Sequence, residues 1–242
     1  MTDPIHVLIT GSTRGIGAAA AGALEARGAR VVRHGSKDGP GVIGADLGDP
    51  DAADGLWERA LEDADGRIDV LVNNAGVFEP IAVDAEDDAW RAAWGRTLQV
   101  NLQSSADLCR RAVLHFRERA RDGICGGRIV NVASRAAYRG DSPQHWHYAA
   151  SKAGMIGMTK SIARGYAAEE ILGFAVCPGF VMTGMAEDYL SSRGGDKLLA
   201  EIPLGRVATP EEVASIITYL ALDAPGSMTG AVIDVNGASF VR

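Results

Sequence analysis

Cysteine is scarce in this sequence, with only three among the 242 residues: Cys109, Cys125 and Cys177. The number is odd and the three residues lie in different segments. They therefore have neither the spacing of metal ligands nor that of a disulfide framework. The sequence predicts free thiols in a reducing cytoplasm and no metal site.

An excess of basic charge and long apolar runs are also missing. Lys and Arg number 24 against 31 Asp and Glu, which gives a formal net charge of −7. A net acidic surface attracts neither nucleic acid nor an anionic membrane. No stretch is apolar for long enough to cross a bilayer, and the first residues, MTDPIHVLITG, lack the basic region and apolar run of an export signal. We expect a cytoplasmic protein with no nucleic-acid or membrane partner.

Short apolar runs are present and alternate with longer Ala-rich segments, and 47% of the chain is hydrophobic. Near-continuous apolar strands separated by helices indicate an α/β fold, in which helices cover both faces of a parallel sheet. No repeat or linker divides the chain, so we expect a single domain over 1–242. Strands are predicted at 5–10, 29–34, 41–47, 68–76 (with a loop), 127–134, 171–179 and 231–235, and helices at 16–27, 51–64, 86–121, 144–168 and 209–222.

Two segments near the C-terminus carry more specific signals. The last helix has a capping box, with Thr209 as N-cap, Pro210 at the first helical position and Glu212 three residues after the cap. Residues 182–205 form an irregular insertion between strand and helix. Such an insertion predicts a lid over a substrate.

A glycine-rich segment, TGSTRGIG at 10–17, follows the first predicted strand and opens the first helix. Its glycines, at 11, 15 and 17, let the backbone approach a pyrophosphate, and the helix N-terminus attracts that anion. The spacing G-x-x-x-G-x-G differs from the G-x-G-x-x-G of the common dinucleotide fingerprint. By itself the segment could also be a tight strand-to-helix turn.

Tyr148 and Lys152 are four residues apart in YAASK, on one face of a predicted helix. A cation one helical turn away stabilises a phenolate. A free phenol, with a pKa of about 10, is otherwise poorly suited to proton transfer at neutral pH. Taken alone, the pair could also be an ordinary aromatic–lysine neighbour on a surface helix.

These motifs occur in an order that resembles the short-chain dehydrogenase/reductase superfamily. TGSTRGIG is followed by NNAG at 73–76, Asn101, Ser134, YAASK at 148–152 and CPGFVMT at 177–183. IPLGRVATPEEVA at 202–214 and VNGA at 235–238 are similar to its carbonyl-reductase branch, which includes the 3-oxoacyl-carrier-protein reductases. The resemblance implies a doubly wound Rossmann sheet of seven strands, hydride transfer to or from a nicotinamide, and a homotetramer formed through helices at 100–120 and 150–168.

The resemblance also implies four catalytic residues. Tyr148 would be the general acid/base, and Lys152 would lower the pKa of its phenol and bind the nicotinamide ribose. Ser134 would polarise the substrate oxygen, and Asn101 would hold a water that links Lys152 to solvent. The substrate would be a small ketone or secondary alcohol.

The remaining matches place the dinucleotide along the chain. Asp46 would accept from the adenine amine, the NNAG loop would pass the adenosine ribose, and the segment from Pro178 would hold the carboxamide. The positions that we expect at the cofactor are Gly11, Ser12, Thr13, Arg14, Gly15, Ile16, Gly17, His34, Gly35, Ser36, Asp46, Leu47, Asn74, Ala75, Gly76, Tyr148, Lys152, Pro178, Gly179, Val181 and Thr183.

The end of the second strand predicts NADP(H) rather than NAD(H). NAD enzymes of this fold usually place an acid there, and its charge would repel a 2′-phosphate. The matching residue is Gly35. Strand alternation turns Arg33 away from the ribose, so we expect Arg14, His34 and Ser36 as the phosphate contacts.

Other functions and two departures from the family pattern remain open. A dinucleotide-binding sensor without turnover is one rival, although such proteins usually lose the Tyr/Lys pair. An extended epimerase or dehydratase needs an added domain for which the length leaves no room. A carrier-protein reductase would need basic docking residues where Cys125 and Glu169 stand. Phe174 replaces a usual asparagine, and we expect His145 and His147 to belong to a solvated helix start.

Overall fold

The computed structural model of the chain describes residues 3–182 and 195–242 and contains one sheet of seven parallel strands. The strand order is β3-β2-β1-β4-β5-β6-β7, so the order reverses between β1 and β4. Ligands of doubly wound sheets bind beyond the carboxyl ends of the strands at such a reversal. The strands are β1 (His6–Ile9), β2 (Arg30–Gly35), β3 (Val42–Gly44), β4 (Val70–Asn73), β5 (Gly127–Val132), β6 (Ile171–Pro178) and β7 (Val232–Val235).

Helices follow the strands in the predicted order. They are α1 (Gly15–Ala26), α2 (Ala52–Asp63), α3 (Asp87–Leu98), α4 (Ser104–Arg121), α5 (Ala136–Arg139), α6 (Trp146–Tyr166), α7 (Gly195–Ala200) and α8 (Pro210–Leu222). The capping box of α8 is confirmed, because Thr209 Oγ1 accepts from Glu212 N at 3.2 Å while Thr209 N donates to Glu212 Oε2 at 2.8 Å.

Each face of the sheet has its own hydrophobic core. Val7 and Ile9 point towards α1 and α8, whereas Leu8 between them points towards α2 and α4. Both faces are covered, which explains why the strands are apolar without alternation. Phe174, at the position where relatives usually have asparagine, is fully buried in the first core, and β6 keeps its register with β5 there.

The prediction of one long helical stretch over 86–121 is confirmed, although its middle is not α-helical. Gln99–Gln103 form a π-helical turn between α3 and α4. Two serine hydroxyl groups donate hydrogen bonds to main-chain carbonyls of this turn. Ser104 Oγ bonds the carbonyl of Val100 at 2.9 Å, and Ser105 Oγ bonds that of Asn101 at 3.4 Å. Such side-chain-to-backbone bonds leave no trace in the hydrophobic period.

The insertion predicted as a lid at 182–205 lies largely outside the described residues, which resume at α7. Thr183, one of the expected cofactor contacts, lies outside them as well. Among the helices that the structure describes, none combines the length and the apolar character needed to span a membrane.

Candidate active site

The four expected catalytic residues lie at the carboxyl edge of the sheet. Ser134 follows the end of β5, Tyr148 and Lys152 lie in α6, and Asn101 lies in the π turn. Gly76, after β4, joins them, because a Cβ there would stand 3.2 Å from Asn101 Oδ1 and 3.5 Å from Lys152 Nζ. The fold thus brings together residues from four separate segments.

Lys152 is a buried cation beside Tyr148. Its side chain is only 4% exposed, and Nζ lies 5.9 Å from the centroid of the Tyr148 ring. Nζ donates to the carbonyl of Val132 at 2.9 Å and contacts Met155 Sδ at 3.5 Å, and no carboxylate of the described residues pairs with it. Burial therefore lowers the pKa of Lys152 to about 8.

Tyr148 is half-buried, and its environment opposes ionisation. Burial raises the pKa of the Tyr148 phenol, and a hydrogen bond from the Ser134 side chain acts in the opposite direction. Ser134 Oγ also accepts from Ala136 N at 3.1 Å, which fixes its orientation and leaves its proton to donate. The surroundings that the chain itself supplies therefore favour the protonated phenol.

Asn101 uses its amide to connect two parts of the site. Oδ1 accepts from Val77 N at 2.8 Å, and Nδ2 donates to Val77 O at 3.0 Å and to Ser151 Oγ at 3.2 Å. Ser151 Oγ in turn donates to the carbonyl of Tyr148 at 2.7 Å. The amide thus joins the loop after β4 to α6, and the proton relay through Asn101 stays a prediction.

The glycine-rich segment leaves the N-terminus of α1 open. Its N-cap, Arg14, makes no side-chain capping bond, and the first turn contains no acidic residue. Gly11 and Gly15 have φ values of +63° and +54°, which side chains rarely adopt. A Cβ on Gly17 would lie 2.1 Å from the carbonyl oxygen of Gly11. A side chain would therefore be opposed by the backbone conformation at Gly11 and Gly15 and by a steric clash at Gly17.

Asn74 and Thr10 hold this segment against the loop after β4. Asn74 Nδ2 donates to the carbonyls of Thr10 and Gly11, at 2.9 and 3.0 Å. Thr10 Oγ1 accepts from Asn74 N and Ala75 N, at 2.9 and 3.0 Å. The two loops that were expected at the dinucleotide are therefore one hydrogen-bonded unit.

The structure corrects the prediction that His34 contacts a phosphate. The ring is 3% exposed, Nδ1 accepts from Gly11 N at 3.0 Å, and Nε2 lies 2.9 Å from the carbonyl of Ala45. This network assigns the proton to Nε2. Desolvation by burial lowers the pKa of His34, so the ring is neutral and has no free donor. His34 instead fixes the Gly11 loop.

The other residues near the expected adenosine end differ in exposure. Arg14 and Ser36 are exposed, whereas Arg33 is held against α1 by bonds from Nε and Nη2 to Glu25 at 3.0 and 2.8 Å. Asp46 Oδ1 accepts from Gly48 N at 3.0 Å in a tight turn, which leaves Oδ2 available. Leu47, by contrast, is buried in the second core.

The segment after β6 is anchored by main-chain bonds. Gly179 N donates to the carbonyl of Val235 at 2.9 Å, and a Cβ on Gly179 would lie 2.9 Å from Asn236 Cα. Val181 forms a parallel bridge with Ala208 and is 8% exposed. This part of the expected nicotinamide site is therefore backbone rather than side chain.

The prediction of a solvated start of α6 is wrong for both histidines. His145 stacks on Phe78, with ring centroids 3.8 Å apart and an angle of 4°. The edge of Phe78 also meets Tyr148, with a centroid distance of 4.8 Å. His147 is fully buried and packs near Trp94. Aromatic neighbours distant in sequence cover both rings, and burial lowers the pKa of each histidine.

Three residues of the site escaped the sequence-based expectations. Ser151 links Asn101 to α6, Thr10 receives two main-chain donors, and Phe78 forms a wall beside Tyr148. Ser151 and Thr10 stand inside or next to recognised motifs as small polar residues, which is a weak signal. Phe78 has no local signal, because its partners His145 and Tyr148 lie at and just before the start of α6.

The cysteines are free, with Cys109 and Cys177 buried and Cys125 exposed. Within residues 3–182 and 195–242, no cluster of His, Cys, Asp and Glu has the composition to hold a metal ion.

Comparison with known proteins places this geometry in a family. A family model described as "Enoyl-(Acyl carrier protein) reductase" matches residues 11–238. "Nodulation protein G" of Rhizobium meliloti (strain 1021) is 36% identical over 243 residues, covering 95% of this chain and 94% of that protein. "3-oxoacyl-[acyl-carrier-protein] reductase FabG" of Salmonella typhimurium is 34% identical over 247 residues, covering 97% of this chain and 96% of that protein.

The fold is equally similar to a solved structure. The crystal structure of "NADH-dependent reductase A1-R' responsible for alginate metabolism" superposes with a TM-score of 0.87 at 28% identity, over 99% of this chain and 98% of that chain. The chain therefore belongs to the short-chain dehydrogenase/reductase superfamily, an oxidoreductase family whose members bind nicotinamide dinucleotides.

Proposed function

We propose that this protein interconverts a ketone and a secondary alcohol with NADP(H), and that Tyr148 is the general acid/base. The observation that carries the proposal is the Lys152 ammonium, which is buried one helical turn from Tyr148 and pairs with no carboxylate of the described residues. A structural lysine would be expected to have an acidic partner or to reach solvent.

In the proposed reaction, Tyr148 donates a proton to the carbonyl oxygen during reduction and removes it from the hydroxyl during oxidation. Ser134 donates a hydrogen bond to the same oxygen. Lys152 stabilises the phenolate that Tyr148 becomes, and a nearby cation can lower the phenol pKa against the effect of burial. Asn101 and Ser151 position α6 and the loop after β4 around these groups.

The residues present fit a dinucleotide. The open N-terminus of α1, without a side-chain cap or an acid in its first turn, suits a pyrophosphate. Gly76 leaves room beside Lys152 Nζ, since a Cβ there would stand 3.5 Å from Nζ and 3.2 Å from Asn101 Oδ1. When bound there, the nicotinamide would supply or accept the hydride. Lys152, which uses one N–H of Nζ on the carbonyl of Val132, would have further N–H groups for the adjacent ribose.

The choice of NADP(H) rests on the end of β2. Gly35 offers no acid to repel a 2′-phosphate, and Arg14 and Ser36 are exposed nearby as donors. His34 takes no part, because main-chain groups occupy both of its ring nitrogens.

A carrier-protein reductase is the second candidate, since relatives with that name are 34% identical to this chain. Two features disfavour it. Glu169 stands at an expected docking position and is paired with Arg117 at 2.6 Å, and Cys125 replaces a basic residue at the other. An acidic carrier would therefore find no unpaired cation at either position.

We also propose that residues 1–242 form one domain with a lid over 182–205, and that four chains assemble through the helical segments 100–120 and 150–168. Gly154 is explained within one chain, since a Cβ there would lie 2.8 Å from Leu102. Gly157 faces open space, and Ala153 four residues earlier is exposed, which suits a helix–helix contact. Light scattering should give the molar mass of four chains, and that of one chain would contradict the assembly.

The test is turnover of a panel of ketones with NADPH and NADH by wild type and Tyr148→Phe. Loss of the acid should lower kcat by about 10²- to 10⁴-fold. Binding of NADPH should persist, because only a hydroxyl is removed. Tyr166→Phe, on the same helix, is the matched control and should retain full activity. Near-normal turnover by Tyr148→Phe, or a wild type that reduces no ketone, would contradict the proposal.

A further inference from the structure

Arg135 is a second buried cation at the carboxyl edge of the sheet. It directly follows Ser134, and its main-chain N donates to the carbonyl of Pro178 at 3.0 Å, which fixes it beside the end of β6. The residue is only 7% exposed, and its Nη1 is buried without any hydrogen-bond partner. Within the part of the chain that the structure describes, no side-chain nitrogen of Arg135 forms a hydrogen bond or an ion pair.

Two carboxylates of the described residues attract this guanidinium, and both make other contacts. Glu201 pairs with Arg139, whose Nη1 lies 3.4 Å from Glu201 Oε2. Asp141 Oδ1 accepts from Ser142 N at 2.7 Å. Burial lowers the pKa of Arg135, and the nearby charge of Arg139 lowers it further. The attraction of Glu201 and Asp141 offsets this effect only in part.

Phe180 is an aromatic neighbour of the guanidinium. Its ring centroid lies 4.6 Å from Arg135 Cζ. A cation–π contact does not use the N–H groups of the guanidinium. These N–H groups form a fork that matches a carboxylate in bidentate geometry. A buried, unpartnered guanidinium is costly unless an anion completes it.

We propose that Arg135 binds the carboxylate of the substrate, and that the substrate is therefore an oxo acid or the corresponding hydroxy acid. The inference rests on the proposed function, because it assumes that the carbonyl of the same molecule lies at Ser134 and Tyr148. Ser134 and Arg135 are consecutive residues, and the number of bonds between the two groups of the substrate is varied in the experiment. A carrier-bound thioester has no such carboxylate.

The experiment compares matched acids and neutral esters. Initial rates are measured for a 2-oxo, a 3-oxo and a 4-oxo acid, each beside its methyl ester, with wild type, Arg135→Met and Arg139→Met. For the preferred chain length, wild type should have a kcat/KM about 10- to 100-fold higher for the acid than for the ester. Arg135→Met should lose this preference while keeping the rate on the ester. Arg139→Met should keep the preference, because its guanidinium is already paired.

A binding measurement separates this inference from the proposed function. Calorimetric titration of the oxo acids and esters into NADPH-loaded protein requires no turnover, and Arg135→Met should selectively weaken binding of the acid. A wild type that does not distinguish acid from ester in rate or binding would overturn the role of Arg135. The role of Arg135 would also be overturned if Arg135→Met lost kcat/KM equally on acid and ester and Arg135→Lys did not restore the preference for the acid. Absence of turnover together with selective binding of the acid would contradict only the proposed reaction.

Discussion

Replacing Lys152 with Met should make the protein more stable and inactive. The side chain keeps its length, and the new thioether meets Met155 Sδ, which Lys152 Nζ already contacts. Burial moves the pKa of Lys152 from 10.5 to about 8, and one pKa unit corresponds to about 1.4 kcal/mol. The buried charge therefore costs about 3 kcal/mol at neutral pH.

Part of this gain is offset, because the variant loses the bond from Nζ to the carbonyl of Val132, worth about 1 kcal/mol. The net gain of about 2 kcal/mol corresponds to a rise in Tm of roughly 4 to 8 °C for a chain of this size. Thermal unfolding at pH 7 measures it. Lys160→Met, an exposed lysine on the same helix, is the control and should leave Tm nearly unchanged.

The pH dependence provides an independent check. Below about pH 8, Lys152 is protonated in both the folded and the unfolded chain, so its cost is constant. Between about 8 and 10.5 the folded state releases the proton while the unfolded state retains it, so the stability of wild type rises with pH. The advantage of Lys152→Met should shrink across that interval. A lower Tm for Lys152→Met at pH 7, with Lys160→Met unchanged, would refute the reasoning.

Two further predictions concern specificity. A Cβ at Gly35 would lie 2.8 Å from Thr13 Cγ2, so Gly35→Asp should be combined with Thr13→Ser. The double variant should lower the ratio of kcat/KM for NADPH over NADH by about 10- to 100-fold relative to Thr13→Ser alone, since the acid repels a 2′-phosphate; an unchanged ratio would contradict the cofactor assignment. Attaching a 3-oxoacyl substrate to an acidic carrier protein should raise kcat/KM little over the free ketone. Glu169 is itself acidic, and the cation beside it, Arg117, is already paired with it. A large gain in kcat/KM would favour the carrier-protein reductase.

Much of the fold could be predicted because its signals are local. Thr209 and Glu212 form their capping box within one turn, and the apolar runs place all seven strands within a few residues. The π turn at Asn101 could not be predicted in this way. It involves hydrogen bonds from serine hydroxyl groups and a bond between Asn101 and Val77, which is distant in the sequence.

The candidate site divides in the same way. Tyr148 and Lys152 lie on one helix, so their spacing alone places them together. His34 illustrates the opposite case, since its ring is engaged by Gly11 and Ala45, one from each neighbouring segment. A polar residue at a strand end looks available in the sequence, and only the tertiary structure shows whether another backbone group has already taken it.

Lys152 and Arg135 have no acidic partner among the described residues, and both lie at the carboxyl edge of the sheet. Arg119, which is also buried, lies near the opposite edge, where it bonds Asp69 at 2.6 Å and the carbonyl of Ile68. The chain has 31 acidic residues, so acids to pair with buried cations are plentiful. Pairing the cations at the carboxyl edge would stabilise the fold, but an acid there would occupy the donors that a phenolate or a substrate carboxylate must use. The uncompensated charges therefore argue for anionic ligands at that edge, and anion binding should raise Tm in wild type more than in Arg135→Met.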